Sequence, residues 1–337
     1  MNIRKTLPRR LPAYEVVNEY SVMKRRIALL VGAFANLAPH SWAEQVRVAS
    51  TKYGSARWGV RNLARFLSFG SFHRRKVFEC FEPSRLRLAG NDSVITRTVF
   101  WHGVDAYEAG EVTYWERLCK QVQGVREVGG NIGIYTIVGA LSNPTANYQV
   151  YEPHPAVFAA LKYNLELNQI SNVELHQVAV VGDAPGEGQT VKLGVANVEV
   201  DWHELPLGSG VAPDSMETTN FSMTIDVPAV AASTVFAGAD LVKIDAEGIE
   251  ASLIRGAWSQ ILIDRPILLL EVLPGAETLV TAVQDLLGLG YLIRSGGWRE
   301  PGYLSPTLVN SVTTSTSWGE SRDWLLVPNE KQRLLPT

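Results

Sequence analysis

The stretch EVGGNIGIYT, residues 127–136, is followed by a second apolar run, NYQVYEP, in which Glu152 is the penultimate residue. A strand that ends in closely spaced glycines and opens a helix, with a carboxylate at the tip of the next strand, is how an α/β sheet holds an adenosine-bearing cofactor. Gly129, Gly130 and Gly133 leave the backbone free to turn sharply and to lie against a bulky ligand. Asn131 adds polar contacts with little bulk, and Glu152 offers two acceptor oxygens to two ribose hydroxyls. That chemistry serves NAD, FAD or S-adenosylmethionine alike, and a tight turn with no ligand is the competing reading. The spacing disfavours a dinucleotide. In G-x-G-x-x-G the second glycine meets pyrophosphate, and here Asn131 holds that position while Ile134 stands where the last glycine would fall.

Periodicity and punctuation predict the elements around this turn. Strands are expected at residues 125–128, 148–152, 173–181, 241–245, 267–272, 291–294 and 324–327, with an extra one at 190–195. Helices are expected at 134–141, 155–167, 249–258 and 276–287, the second with Pro155 in its first turn. The aliphatic run at 267–272 has the pattern of a central parallel strand covered on both faces. Strands alternating with helices predict a doubly wound α/β sheet. The tract TTSTSWGES, residues 313–321, reads as a polar loop.

The order of G-x-N-x-G at Gly129–Gly133, E-P-x-P at Glu152–Pro155, N-L-x-L-N at Asn164–Asn168 and K-I-D-x-E-G at Lys243–Gly248 resembles the FkbM family of S-adenosylmethionine-dependent methyltransferases. The resemblance covers roughly residues 90–295. It implies a Rossmann-like class I methyltransferase with a mostly parallel seven-stranded sheet whose last strand inserts antiparallel. It also implies S-adenosylmethionine as cofactor, with S-adenosylhomocysteine as product. Around that cofactor it places Glu127, Gly129, Gly130, Asn131, Gly133, Tyr135, Thr136, Glu152, Pro153, Asp183 and Asp245. Two positions depart from the family pattern, which usually has Asp at Glu127 and Ala at Gly130. The first swap lengthens a carboxylate and the second is expected to loosen the turn.

In an open α/β sheet, ligands bind beyond the carboxyl ends of the strands where the strand order reverses. Asp245, Glu247 and Glu271 are expected there. Methyl transfer to oxygen needs alignment and a base for the hydroxyl proton. Asp245 is the first candidate for that base, Glu247 the second, and Glu271 is expected to position substrate. The structural alternative has Asp245 and Glu247 capping the next helix and pairing with Lys243 or Arg255. Asp183 can reach the adenine amino group or stabilise its own turn. Trp202 and His203 lie in residues 196–224, a stretch that matches no pattern and hangs where substrate loops usually do, so His203 is a further catalytic candidate. No spacing of these groups demands a metal ion.

Charge divides the chain. Residues 1–89 hold 17 Lys and Arg against 5 Asp and Glu, a net of +12, so the remainder carries −15. Residues 1–89 are therefore expected to form a helical accessory region and residues 90–337 the methyltransferase domain. The basic region either keeps its cations solvated or docks an anionic partner. Within it, residues 23–43 have a basic start and an apolar run of about 12 residues, too short to span a bilayer as a helix, and read as a buried helix rather than a secretory signal. The two cysteines, Cys80 and Cys119, form no C-x-x-C spacing, which disfavours a disulfide framework or a structural zinc site.

The expected protein is a cytoplasmic O-methyltransferase acting on a hydroxyl of a sugar, glycan or secondary metabolite. The competing classes are an RNA or protein methyltransferase that uses the basic region to hold a polymer, and a non-catalytic cofactor-binding module.

Overall fold

The computed structural model describes residues 77–80, 86–89, the positions 95, 96, 99 and 104, and residues 108–335 except 183–185, 187, 196–208, 212–222, 247, 273–276, 296–306 and 310–322. The segment 23–43, the rest of the basic region before residue 77, and the polar loop 313–321 lie outside the described residues. The chain separates into two compact units, residues 1–74 and 75–337.

The described part of the second unit opens with a hairpin of β1 (Val77–Cys80) and β2 (Leu86–Ala89), then α1 (Ala109–Cys119) and β3 (Gly124–Val128). There follow α2 (Ile134–Ser142), β4 (Asn147–Tyr151), α3 (Pro155–Leu167), β5 (Val173–His176), β6 (Ala179–Val181), β7 (Thr190–Val195), β8 (Ser209–Val211) and β9 (Met223–Ala231). The remaining elements are α4 (Ala232–Phe236), β10 (Leu241–Ile244), α5 (Glu250–Gly256), α6 (Trp258–Asp264), β11 (Ile267–Glu271), α7 (Glu277–Gly288), β12 (Tyr291–Ser295), β13 (Thr307–Val309) and β14 (Asp323–Pro328).

The main sheet runs β13, β12, β14, β11, β10, β3, β4, β5. Strands β11, β10, β3, β4 and β5 are mutually parallel, while β14 runs antiparallel between β11 and β12. The expected seven strands are present, with the last inserted antiparallel, and the three-residue β13 adds an eighth at the edge. Strand order reverses between β3 and β10, so their carboxyl ends frame the crevice.

The expected strand over residues 173–181 divides in two. His176 still accepts a hydrogen bond from the Glu152 N–H at 3.0 Å, and beyond it β6 leaves for a second sheet, pairing parallel with β9. Strands β9, β7 and β8 complete that sheet as antiparallel neighbours. The expected helix over 249–258 corresponds to α5, which ends at Gly256, and a further helix, α6, runs from Trp258 to Asp264.

Burial explains the apolar runs. Val242, Ile244, Leu268, Leu270, Trp324 and Leu326 project to one face of the sheet and join a core built with α4, α5, α6 and α7. On the opposite face α1 packs against α2, where the Trp115 indole donates to the Tyr135 carbonyl at 3.1 Å. The asparagines of N-L-x-L-N fasten the hairpin to α3. Asn168 accepts from the Arg87 N–H and donates to its carbonyl, each at 2.7 Å. The buried Asn164 accepts from the Ala89 N–H at 2.9 Å and donates to the Ile132 carbonyl at 2.8 Å. These bonds place residues 86–89, which the sequence reading assigned to the accessory region, on the same unit as the sheet.

The turn after β3 is not loosened by Gly130. A Cβ there would lie 2.3 Å from Val150 Cγ2 and 3.3 Å from Leu161 Cδ2, and Val150 is fully buried with a stiff branched side chain. Gly130→Ala is expected to cost about 1–3 kcal/mol through overpacking. Val150→Ala is expected to cost less in that background than alone, a coupling that denaturant unfolding of the double-mutant cycle measures. Strict additivity would show that the two positions do not compete for space.

Candidate active site

The first wall of the crevice is backbone. Gly129 has φ +86° and Asn131 φ +48°, the left-handed region. A Cβ on Gly129 would stand 1.9 Å from the Asp245 carbonyl oxygen, so glycine is required where the loops after β3 and β10 meet. The N–H groups of Gly129 and Gly130 both donate to the Tyr151 carbonyl, at 2.9 and 3.2 Å, and the Asp245 N–H donates to Val128 at 3.0 Å. Glu152 braces the turn, accepting from the Asn131 N–H at 3.0 Å and, through its other oxygen, from the His154 N–H at 2.9 Å. Each oxygen keeps further acceptor capacity.

The second wall is ionic. Lys243 lies in β10 beside Glu127 of β3, and its side chain is only 4% exposed. Its Nζ donates to Asp245 Oδ2 at 2.7 Å and stands 4.5 Å from the centroid of the Tyr135 ring. The Tyr135 hydroxyl donates to Glu108 Oε2 at 2.8 Å. Burial acts to lower the Lys243 pKa, but Asp245, Glu111 and Glu108 together outweigh it and hold the ammonium above its usual range. The cavity is lined by Gly129, Gly130, Asn131, Tyr135, Lys243 and Asp245, together with Glu127 and three isoleucines.

The structure brings Glu127, Gly129, Gly130, Asn131, Tyr135 and Asp245 together around one cavity, while the buried Glu152 is bonded to the turn and does not line it. Other expectations change. Thr136 is fully buried and donates to Glu127 Oε2 at 2.9 Å instead of facing the cavity. Gly133 is the N-cap of α2 and is packed under Leu161, with Cδ1 2.6 Å from where its Cβ would be. Pro153 is half-buried between Glu152 and His154, and His154 caps α3, its ring accepting from the Ala156 N–H at 3.2 Å. Asp245 does pair with Lys243, but Glu250 closes the following loop by accepting from Ala246 and Gly248 at 3.1 and 3.0 Å. Glu271 ends β11 opposite Asp323 of β14. Asp183, Glu247 and His203, with Trp202, lie outside the described residues.

Glu108 and Glu111 escaped the sequence reading. Their signal was carboxylates on the apolar face of an amphipathic helix, at the same spacing as Tyr114, Trp115 and Leu118, all buried. Among the described residues, no group of three or more His, Cys, Asp or Glu is placed to hold a metal ion, and no helix is long and apolar enough to cross a membrane.

Burial pushes the Glu127 carboxyl up to about 7, against the lowering effect of Tyr148, Lys243 and Thr136. Burial does the same to Glu152, up to about 7, opposed by the His154 and Asn131 N–H groups. A carboxyl whose folded pKa exceeds its unfolded one stabilises the fold below the unfolded value, and that contribution is lost as pH rises through the folded value. Stability is thus expected to fall between about pH 5 and pH 8, with Glu127 alone contributing on the order of 3 kcal/mol. Glu127→Gln keeps an acceptor for Tyr148 and Thr136 and removes the titration, so its denaturant unfolding is expected to depend less on pH. Equal pH slopes in the two proteins would acquit Glu127.

Residues 127–293 match the family model described as Methyltransferase FkbM domain. Methyltransferase 1 of Beauveria bassiana (strain ARSEF 2860) is 37% identical over 51 residues, which are 15% of this chain and only 20% of that protein's length. Among solved structures, the FkbM methyltransferase of Methylobacillus flagellatus KT is 15% identical, with 60% of this chain and 43% of that one covered at a TM-score of 0.35. The precorrin-6y C5,15-methyltransferase of Geobacter metallireducens GS-15 is 13% identical, with 62% and 82% covered at a TM-score of 0.30. The glycine turn, the brace of Glu152 and the Lys243–Asp245 strand end all fall within the matched span, and residues 127–293 are a methyltransferase domain of the FkbM family.

Proposed function

We propose that the protein transfers a methyl group from S-adenosylmethionine to a hydroxyl oxygen of a sugar, glycan or hydroxylated secondary metabolite. The observation that carries this reading is that one cavity joins the glycine turn to the Lys243–Asp245 pair. The chain's residues fit the cofactor. Gly129 lets the loops after β3 and β10 meet at the cavity, since a Cβ there would strike the Asp245 carbonyl, and each Glu152 oxygen keeps acceptor capacity beyond its bond to the turn, as two ribose hydroxyls would need.

S-adenosylmethionine supplies an electrophilic methyl group on a positively charged sulfur. Gly129, Gly130 and Asn131 present backbone to the ligand, and Glu152 orients the ribose. Lys243 fixes Asp245 at the cavity edge, where its carboxylate takes the acceptor hydroxyl's proton as the new bond to oxygen forms. The buried ammonium gives Asp245 one orientation, which is what an in-line displacement requires.

Calorimetric titration with S-adenosylhomocysteine and with NAD tests the donor site. Binding of the former near micromolar Kd is expected, weakened about 10- to 100-fold in Glu152→Ala by loss of charge-assisted hydrogen bonds, with no response to NAD. Binding of NAD alone would overturn the reading. Labelled methyl transfer to a panel of sugars and hydroxylated metabolites tests the chemistry. Asp245→Asn is expected to keep nucleoside binding and lose about 10²- to 10⁴-fold in turnover, whereas unchanged turnover would remove Asp245 as base.

A further inference from the structure

Glu108 lies outside the span matched by the family model, at the N-cap of α1. An N-cap carboxylate ordinarily accepts from the first N–H groups of its own helix, yet Glu108 makes no such bond. Its backbone instead takes a left-handed conformation, φ 48°, unusual for a side chain of this size. That conformation accompanies a carboxylate that reaches across to the Tyr135 hydroxyl at 2.8 Å. The bond is not needed to hold α1 on α2. Trp115 already ties the helices through the Tyr135 carbonyl and packs edge-on against the Tyr135 ring.

The bond does tie Glu108 to a residue of the cavity lining. Tyr135, Lys243 and Asp245 all line the cavity, linked by the 4.5 Å ring contact and the 2.7 Å ion pair. Lys243 and Asp245 balance as one positive and one negative group. Glu127 of β3 lines the same cavity, and the carboxylate bonded to Tyr135 adds a further negative charge beside it. We propose that Glu108 is a specificity-determining residue of the donor site, placed through Tyr135 so that its charge favours the cationic methyl donor over the neutral thioether product. This rests on the S-adenosylmethionine reading above.

Several ionisable groups face Glu108. Lys243 lowers its pKa, Asp323 of β14 and Asp245 raise it, Tyr135 of α2 lowers it by its hydrogen bond, and Glu111 lies one turn on in α1. Burial is the largest influence, and the carboxyl is pushed up to about 7. It is thus mostly neutral near pH 6 and mostly charged near pH 8. By linkage, a cation that binds more tightly to the charged form does so increasingly as pH rises.

The test is the ratio of the Kd of S-adenosylhomocysteine to that of S-adenosylmethionine, measured by calorimetry from about pH 6 to pH 8. The two ligands share the adenosine and amino acid groups, so the ratio isolates the sulfonium. In the wild type it is expected to rise about threefold over this range, the effect of a half-unit mutual shift. In Glu108→Gln, which keeps an acceptor for Tyr135, it is expected to rise clearly less than in the wild type, the remaining rise belonging to Glu127 and Glu152, which titrate over the same range. Tyr135→Phe, which releases the carboxylate, is expected to reduce the rise as well and guards against a folding defect peculiar to position 108. A flat wild-type ratio, or the same rise in both variants, overturns the assignment. Failure of either nucleoside to bind the wild type at any pH removes the donor reading, and this inference with it.

Discussion

A lysine ammonium buried in a central strand costs several kcal/mol unless charges and hydrogen bonds meet it, and β10 carries one at Lys243. Much of the polar architecture on that face of the sheet answers this constraint. Asp245 follows two residues later on the same side and accepts from Nζ at 2.7 Å. Helix α2 begins with the aromatic ring that covers the ammonium, and α1 brings Glu108 and Glu111 close enough to raise the Lys243 pKa. Leaving such a charge unpaired costs about 3–5 kcal/mol. The pairing that lets Lys243 exist in the sheet thus also fixes Asp245 at the cavity edge, so the stability of β10 and the geometry of the site are the same problem.

The two departures from the family pattern at the glycine turn are each matched by a neighbour. Glu127 accepts hydrogen bonds from the Tyr148 hydroxyl and from Thr136, donors that give its buried carboxyl partners while it still lines the cavity. At Gly130 the missing methyl is replaced by Val150, whose Cγ2 occupies the space an alanine Cβ would need. Interiors packed to crystal-like density transmit such changes to the adjoining side chain, and both exchanges are local for that reason. The turn keeps its backbone path because its bonds run to the Tyr151 carbonyl and to Glu152.

Strand β11 was legible in the sequence because burial on both faces writes it as a nearly continuous aliphatic run. The turn was legible because φ +86° at Gly129 and the close approach of Asp245 leave little but glycine. Glu152 followed from its place at the next strand's tip. The second sheet was less visible. Its longest strand, β9, contains Pro228, tolerated because it sits opposite Thr190, the first residue of β7, where the ladder ends. The hairpin of β1 and β2 is held to α3 by Asn164 and Asn168, contacts about 80 residues apart in the chain that no local pattern encodes. Glu108 and Glu111 were hidden for a related reason, since a carboxylate on a buried helix face makes sense only once Lys243 is known to lie beneath it.

Burial raises the carboxyl groups of Glu108, Glu127 and Glu152 alike to about 7, which means that the site opposes folding once pH passes that range. Such a cluster persists when the surrounding structure over-determines it, here through the Tyr151 carbonyl, the two helices on Lys243 and the core beneath β10. Each of these carboxyls is also held by hydrogen bonds that favour its charged form: Tyr135 on Glu108, Tyr148 and Thr136 on Glu127, and two backbone N–H groups on Glu152. A ligand that adds hydroxyl donors at Glu152 or positive charge beside Asp245 acts in the same direction as those bonds. Under the proposed reading, donor binding and ionisation of the cluster would be coupled through the chemistry of the wall itself, with no change of fold required.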